Sequence, residues 1–161
     1  MPIANRLTCA AAALALPFTA AAPALADDHG GSAGPGFLAT VETAEGAIAG
    51  TVSIRPTASG MMLIGIDLRD MPPGLHGVHI HETGDCSGPE FKTAGGHVAG
   101  DANHGVMVEG GPHPGDLPNV HVGEEGRLAA TFFNDRLTRD HLTDADGAAF
   151  IVHAGPDDYE S

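Results

Sequence analysis

The sequence predicts an all-β protein built as an antiparallel β-sandwich or β-barrel. Short stretches in which apolar and polar residues alternate recur from Phe37 to His153, and clusters of glycine, proline and aspartate separate them. Helical periodicity is almost absent between these stretches. Short strands at this spacing, without alternating helices, are typical of antiparallel sheets that pack face to face.

The N-terminal 26 residues are predicted to be a secretory signal peptide. Arg6 precedes an apolar, alanine-rich run, and Ala24-Leu25-Ala26 is a small-x-small cleavage pattern before Asp27. The run is short for a membrane span of about 20 residues, and prolines interrupt it. We therefore expect a periplasmic or secreted protein with three segments: a signal peptide (1–26), a flexible leader (27–36) and one β-domain (37–161).

The net charge limits the expected binding partners, and the cysteine positions predict how many thiols the exported chain retains. The formal net charge is −14 and becomes −15 when Arg6 leaves with the signal peptide, which argues against nucleic acid and anionic membranes as partners. Lys92 is the only lysine. Because Cys9 lies in the signal peptide, Cys86 is predicted to be the single cysteine of the exported chain.

Three strands are expected before the first histidine pair. Leu38–Thr43 alternates and ends at the turn signal Glu45-Gly46, and Met61–Leu68 lies between two clusters of proline and glycine. The strand between them, Ile48–Ile54, is expected to place four residues on one face: Ile48, Gly50, Val52 and Ile54.

The fourth strand, Leu75–His81, carries two histidines in an arrangement that suits a metal. His79 and His81 stand at i and i+2, so their side chains point to the same face and two imidazoles could reach one ion. The pair alone fits two solvent-facing histidines equally well, and imidazole binds Zn, Cu, Fe and Ni alike. His76 is expected to face the other side and to form structural hydrogen bonds.

A long segment without a strand or helix pattern follows, from Glu82 to Pro118. Loops of this length inside a compact domain are usually functional or disordered. A metal bound by such a loop can replace the apolar core that it lacks. Side chains that can bind a metal lie within this segment, among them Cys86, His97, His104, His113 and Asp116.

The remaining strands are expected at Asn119–Val122, Leu128–Phe133 and Ala148–His153, and the last one ends in a histidine. His121 and His141 have no partner at ligand spacing and are predicted to be ordinary polar residues.

Several of these segments together resemble the exported bacterial copper–zinc superoxide dismutases, in order from Phe37 to Tyr159. The similar motifs are Gly77-Val78-His79-Ile80-His81, Gly84-Asp85-Cys86, Ala94-Gly95-Gly96-His97, His104-Gly105, Gly111-Pro112-His113-Pro114-Gly115-Asp116-Leu117-Pro118-Asn119 and Val152-His153-Ala154-Gly155-Pro156-Asp157-Asp158-Tyr159. A chance match to one His-x-His pair is common, but a chance match to the whole ordered set is not.

The resemblance implies a Greek-key β-barrel that uses copper and zinc to dismutate superoxide. It implies four copper ligands, which are also the catalytic residues: His79, His81, His97 and His153. It implies four zinc ligands, with His97 shared between the metals: His97, His104, His113 and Asp116. Asp157 is implied as a carboxylate that orients one histidine on each side. The resemblance also allows a homodimer.

The sequence departs from the family pattern in two places. The span from His97 to His104 is one residue shorter than in the family, and the chain ends at Ser161. The family continues with a glycine-rich segment, an arginine and a Cys-Gly pair in a closing strand. We therefore expect a missing last strand with an exposed sheet edge, an unpaired Cys86, and lowered activity and stability.

Two other functions fit parts of the sequence. In the family, the arginine guides the superoxide anion. An exported protein with these ligands but without that arginine could buffer or store copper and zinc without catalysis. A cupin-type metal enzyme also uses His-x-His on a strand. The cupin pattern requires a glutamate four or five residues after the second histidine, where this chain has Asp85 and Cys86.

Overall fold

The computed structural model describes residues 8–11 and 34–160. This part of the chain contains eight β-strands and two short 3-10 helices. The strands are β1 (Thr8–Ala11), β2 (Phe37–Thr43), β3 (Ile48–Pro56), β4 (Met62–Leu68), β5 (Gly74–His81), β6 (Asp116–Val122), β7 (Leu128–Asn134) and β8 (Ala149–Val152). The 3-10 helices span Pro89–Ala94 and Asp140–Leu142.

The strands form one antiparallel sheet in the order β6-β5-β8-β1-β2-β3-β4-β7. The connections from β4 to β5 and from β6 to β7 join strands that are not neighbours, as in Greek-key folds. The terminal strands β6 and β7 approach each other without a hydrogen-bonded ladder, so the sheet curls around one apolar interior. The predicted all-β antiparallel class is confirmed.

The core lies inside this curled sheet. Alternate residues of β4 and β5 point inward, and Ile64, Leu68, Val78 and Ile80 are at most 1% exposed. Each fully buried aliphatic side chain of this size stabilises the fold by about 1.5–3 kcal/mol. No helix in the described ranges is long and apolar enough to cross a membrane.

The predicted face pattern of β3 is wrong at its first residue. Ile48 is 69% exposed, whereas its neighbour Ala49 is 2% exposed. The cause is a bulge: Val41 pairs with Gly50 but Glu42 pairs with Ile48, so Ala49 is the extra residue. One inserted residue reverses the faces beyond it, because side chains alternate with a period of two.

The loop from residue 82 to 118 contains more regular structure than the sequence predicts. A 3-10 helix spans Pro89–Ala94, and β6 already begins at Asp116. The helix is fixed by tertiary contacts, since Phe91 and Ala94 pack against Ala149 and Ile151 of β8. Local patterns carry no signal for either element because the stabilising partners come from distant segments.

The sheet edge that the sequence predicts to be exposed is covered in the full chain. β1 pairs with β2 on one side and with β8 on the other, and it fills the gap between them. A four-residue extended segment suffices, because both neighbours offer unpaired backbone groups. The rest of the predicted signal peptide and residues 27–33 of the predicted leader lie outside the described residues.

Cys86 is not free in the full chain. It is disulfide-bonded, and none of the described cysteines is free. Cys86 packs in the apolar cluster that contains Ile151, and the backbone of Cys9, the other cysteine of the sequence, pairs with Ile151. The unpaired Cys86 is predicted for the exported chain, which lacks Cys9, and for that chain it stays a prediction.

Candidate metal centre

Two neighbouring strands bring three of the predicted histidines together. His79 and His81 lie on β5, and His153 directly follows β8. β5 and β8 are paired, with His79 opposite Ile151, and the His153 amide donates to the Gly77 carbonyl at 2.8 Å. The sheet ladder therefore determines where these imidazoles lie, and both β5 histidines are buried.

His97 comes from the long loop but is held against β5. The Glu82 amide donates to Gly96 O at 2.9 Å and the Val98 amide donates to Ile80 O at 2.8 Å, so the loop follows the strand on both sides of His97. The His97 ring stacks on His79 with 3.8 Å between centroids and 21° between planes. The loop histidine therefore reaches the histidines of the strands.

The nitrogens of His79, His81, His97 and His153 converge on one point. One ligand atom from each lies within 4.8 Å of all the others. His81 Nδ1 donates to the Gly95 carbonyl at 2.9 Å, because a carbonyl can only accept, so Nε2 presents a lone pair 3.4 Å from His153 Nε2. Four imidazoles of this kind suit Cu(II).

His79 gives the clearest sign that this point is a metal site. Its Nε2 donates to Asp157 Oδ2 at 2.7 Å, which leaves Nδ1 as an acceptor. That Nδ1 is buried and has no hydrogen-bond partner among the described residues. A buried unpaired nitrogen is costly in a stable fold, and a metal ion at the centre of the cluster would satisfy it.

A second group converges on a single carboxylate oxygen, Asp116 Oδ1. The Nδ1 atoms of His97, His104 and His113 lie 3.2, 3.1 and 3.3 Å from it. Ligands about 2.0–2.1 Å from a tetrahedral zinc ion are separated by about 3.3 Å, so these distances match the edges of such a site. His113 Nδ1 is buried and has no hydrogen-bond partner among the described residues, as expected for a metal-facing nitrogen.

A ligand atom of His79 also lies within 4.8 Å of ligand atoms of His97, His104 and Asp116, so distance alone would place His79 in this second group. We assign His113 rather than His79 to this second group, because His113 Nδ1 lies 3.3 Å from Asp116 Oδ1 and has no hydrogen-bond partner among the described residues. Three imidazoles with one carboxylate form a usual zinc ligand set. His97 is the ring that belongs to both groups.

Burial keeps the strand histidines neutral. It lowers the pKa of His79 to about 4, with a further contribution from the neighbouring His97. It lowers the pKa of His153 to about 3, assisted by His79, His81 and His97. A neutral imidazole is the form that binds a metal, so at pH 7 both rings are ready to act as ligands.

The loop carboxylate is held ionised. Burial alone raises the pKa of Asp116, but the hydrogen bond with His97 and two amide donors outweigh it and hold this pKa well below its usual value. The two donors are the Gly105 and His113 amides, both 2.9 Å from Oδ2. The second oxygen is therefore occupied by the backbone, and Oδ1 is left to face the histidines.

Asp157 joins the two groups. Its Oδ2 accepts from His79 Nε2 at 2.7 Å, and its Oδ1 accepts from His104 Nε2 at 3.2 Å. Burial alone raises the pKa of Asp157, but the Tyr159 amide and the two histidines lower it below its usual value. One ionised carboxylate thus orients one ring in each ligand group.

The remaining histidines stay outside both groups. His76 is buried, and its ring nitrogens contact the carbonyls of His153 at 2.7 Å and Pro72 at 2.8 Å. His121 is exposed, and His141 accepts from the Thr138 amide at 3.1 Å. These placements match the non-ligand roles that the sequence predicts.

An open cleft of about 630 Å³ leads to the centre. His79, His97, His104 and His153 line it, together with Asp157, Asp158 and Glu90. Lys92 ion-pairs with Glu90 at 2.6 Å, and both side chains are exposed. Sequence reasoning missed two other residues, Asn119 and Tyr159, which hydrogen-bond to Asp157 although both lie inside the recognised motifs.

Comparison with known proteins identifies similar chains. The family model for copper/zinc superoxide dismutase (SODC) matches residues 48–161. A Cu-Zn superoxide dismutase of Caulobacter vibrioides is 36% identical over 131 residues, covering 76% of this chain and 75% of its own. The superoxide dismutase-like protein YojM of Bacillus subtilis is 34% identical over 122 residues, covering 71% of this chain and 62% of its own.

Solved structures of similar proteins also superpose on this chain. A crystal structure of a double mutant of a SOD-like protein from Bacillus subtilis superposes with a TM-score of 0.72 at 34% identity, covering 77% of this chain and 86% of that one. The Cu/Zn superoxide dismutase from Brucella abortus superposes with a TM-score of 0.56 at 29% identity, covering 71% of this chain and 77% of that one.

Proposed function

The chain belongs to the copper/zinc superoxide dismutase family, and on this premise we propose that it converts two superoxide anions and two protons into dioxygen and hydrogen peroxide. The observation that carries the proposal is the pair of converging ligand groups that share His97. A buffer protein needs only affinity, whereas a shared imidazole couples one metal to the other and can also carry a proton.

The proposed copper ligands are His79, His81, His97 and His153, and the proposed zinc ligands are His97, His104, His113 and Asp116. Copper held by the first set would supply the one-electron couple that the reaction needs. Zinc held by the second set would fix the long loop, since that loop has few apolar contacts of its own.

The protein side of the reaction centres on His97. Its Nδ1 faces Asp116, so Nε2 lies on the opposite side of the ring, toward the copper ligands. Nε2 could therefore hold a proton at this position and donate it to the reduced product. His79 and His104 keep their ring orientations because Asp157 accepts a hydrogen bond from each.

The open cleft supports a small, freely diffusing substrate. Four of the histidines of the centre line this cleft, and among them His79 is buried beneath its surface. We also propose export to the periplasm, on the basis of the signal-peptide pattern. The mass of the chain isolated from the periplasm tests this, since we expect it to begin at Asp27; a chain retained in the cytoplasm with Met1 would contradict it.

The proposed activity is tested by metal analysis and a superoxide assay on the same purified sample. We expect one copper and one zinc per chain with turnover, loss mainly of copper in His79→Ala, loss mainly of zinc in His113→Ala, and loss of both in His97→Ala. His121→Ala, which removes an exposed histidine outside the centre, is the matched control.

Two outcomes would contradict the proposal. If His97→Ala retained both metals at the wild-type level, His97 would not be shared. If the chain held both metals without turnover, the alternative of a non-catalytic exported copper- and zinc-binding protein would replace the enzyme.

A further inference from the structure

Tyr159, two residues after Asp157, is hydrogen-bonded to the Asp157 carboxylate. The Tyr159 amide donates to Asp157 Oδ1 at 2.8 Å, the same oxygen that accepts from His104. Tyr159 has a φ of +66°, a left-handed conformation that is uncommon for a bulky residue. The surrounding contacts must therefore hold it in this conformation.

Those contacts come from the strand and the loop that carry the zinc group. The Asn119 amide of β6 donates to Tyr159 Oη at 2.8 Å, and the Met107 amide donates to the Tyr159 carbonyl at 3.1 Å. Gly105 passes so close that a Cβ at that position would collide with the Tyr159 carbonyl. Tyr159 thus connects its own turn with β6 and with the loop around residues 105–107.

The backbone of Asp157 is fixed independently. Asn119 Nδ2 donates to Asp157 O at 2.9 Å, and the Asp157 amide donates to Asn119 Oδ1 at 2.9 Å. This reciprocal pair positions the main chain but does not touch the carboxylate. Besides His79 and His104, the donor to the carboxylate among the described residues is the Tyr159 amide.

We propose that Tyr159 is a positioning residue, and that its phenol hydroxyl anchors the turn that aims the Asp157 carboxylate at His79 and His104. This inference rests on the proposed metal centre. Because Asp157 orients one ring in each ligand group, loosening Tyr159 disturbs both groups without removing any ligand.

Tyr159→Phe is the informative variant, because it removes the hydroxyl that accepts from the Asn119 amide and keeps the ring and the hydrogen bonds of the Tyr159 main chain. Loss of one hydrogen bond of average strength changes an equilibrium about three- to tenfold. We therefore expect zinc to leave the variant about three- to tenfold faster in the presence of a chelator. We also expect a changed visible spectrum when cobalt replaces zinc, because that spectrum reports ligand geometry.

Thr57→Val is the matched control. It removes the hydrogen bonds of Thr57 Oγ1 with Met61 O at 2.8 Å and with Ser59 Oγ at 2.9 Å, in a turn between β3 and β4 away from the centre. We expect wild-type zinc release and an unchanged cobalt spectrum in this variant. A merely structural role for Tyr159 would make the two variants behave alike.

The wild-type chain offers a test that needs no variant. Tyr159 is its only tyrosine, and the chain has no tryptophan, so tyrosine emission reports this position alone. We expect zinc addition to change that emission. Tyr159→Ala, which also removes the ring, should release zinc faster than Tyr159→Phe.

The outcomes separate this inference from the proposed function. If the wild-type chain bound zinc but its tyrosine emission did not change, or if Tyr159→Phe matched the wild type in zinc release and cobalt spectrum, the positioning role would be overturned. If the wild-type chain bound neither metal, the proposed function itself would fail.

Discussion

The two ligand groups are built in different ways. The proposed copper group draws His79, His81 and His153 from the ends of paired strands. The proposed zinc group draws His97, His104 and His113 from one long loop, with side chains 14–20% exposed. Asp116 begins β6 and faces these three rings.

The difference shows what holds each group in place. On β5, the apolar neighbours Val78 and Ile80 are at most 1% exposed, so the core fixes the intervening histidine whether or not a metal is bound. Neighbours of His97 follow β5, but all three loop histidines meet at one carboxylate oxygen. A single oxygen cannot satisfy three imidazoles equally well, so we expect the loop to depend on Asp116 and on a bound zinc ion.

The largest effect is expected from Asp116→Asn. The substitution removes the charge on which three histidines converge, and we expect zinc affinity to fall by more than about 100-fold, since even an outer partner of a ligand is commonly worth 10–100-fold. Copper should stay bound, because its ligands lie mainly on strands. Competition with a chelator for each metal measures both affinities, and Asp101→Asn in the same loop is the control. Equal loss of both metals would contradict the contrast between strand and loop.

An intermediate effect is expected from Asp157→Asn. The amide can accept at only one of its two side-chain positions, so either His79 or His104 loses its partner. We expect affinity for both metals to fall by about 10–100-fold, with all ligands present. Parallel copper and zinc titrations measure this, with Asp158→Asn as the neighbouring control. A change confined to one metal would show that Asp157 does not connect the groups.

The smallest effect is expected from Lys92→Ala. Lys92 and Glu90 form an exposed ion pair, so we expect no measurable change in melting temperature. Because Glu90 lines the cleft, the variant leaves its negative charge uncompensated and should capture superoxide more slowly, most clearly at low salt. Lys92→Ala/Glu90→Gln should restore the rate. Rates that do not depend on ionic strength in either variant would rule out a role of this pair in steering.

Most strands could be predicted because their signal is local. Alternation placed β4 and β7 within one residue of their observed ends. The prediction failed where a distant partner decides the structure. The extra residue at Ala49 follows from how β2 meets β3, and the helix at Pro89–Ala94 depends on contacts with β8.

The sequence by itself determined the chemistry: histidines at alternate positions of a strand, more histidines and an aspartate in a loop without a core of its own, and the motifs that they form. Only the tertiary structure decided how these groups meet. The His97 ring on His79, the three imidazoles around Asp116 Oδ1, the disulfide-bonded Cys86 and the hydrogen bond from the Asn119 amide to Tyr159 Oη all depend on how separate segments fold together. Residue type and spacing fix what a side chain can bind, whereas its partners depend on how the sheet curls and where the loop returns to β5.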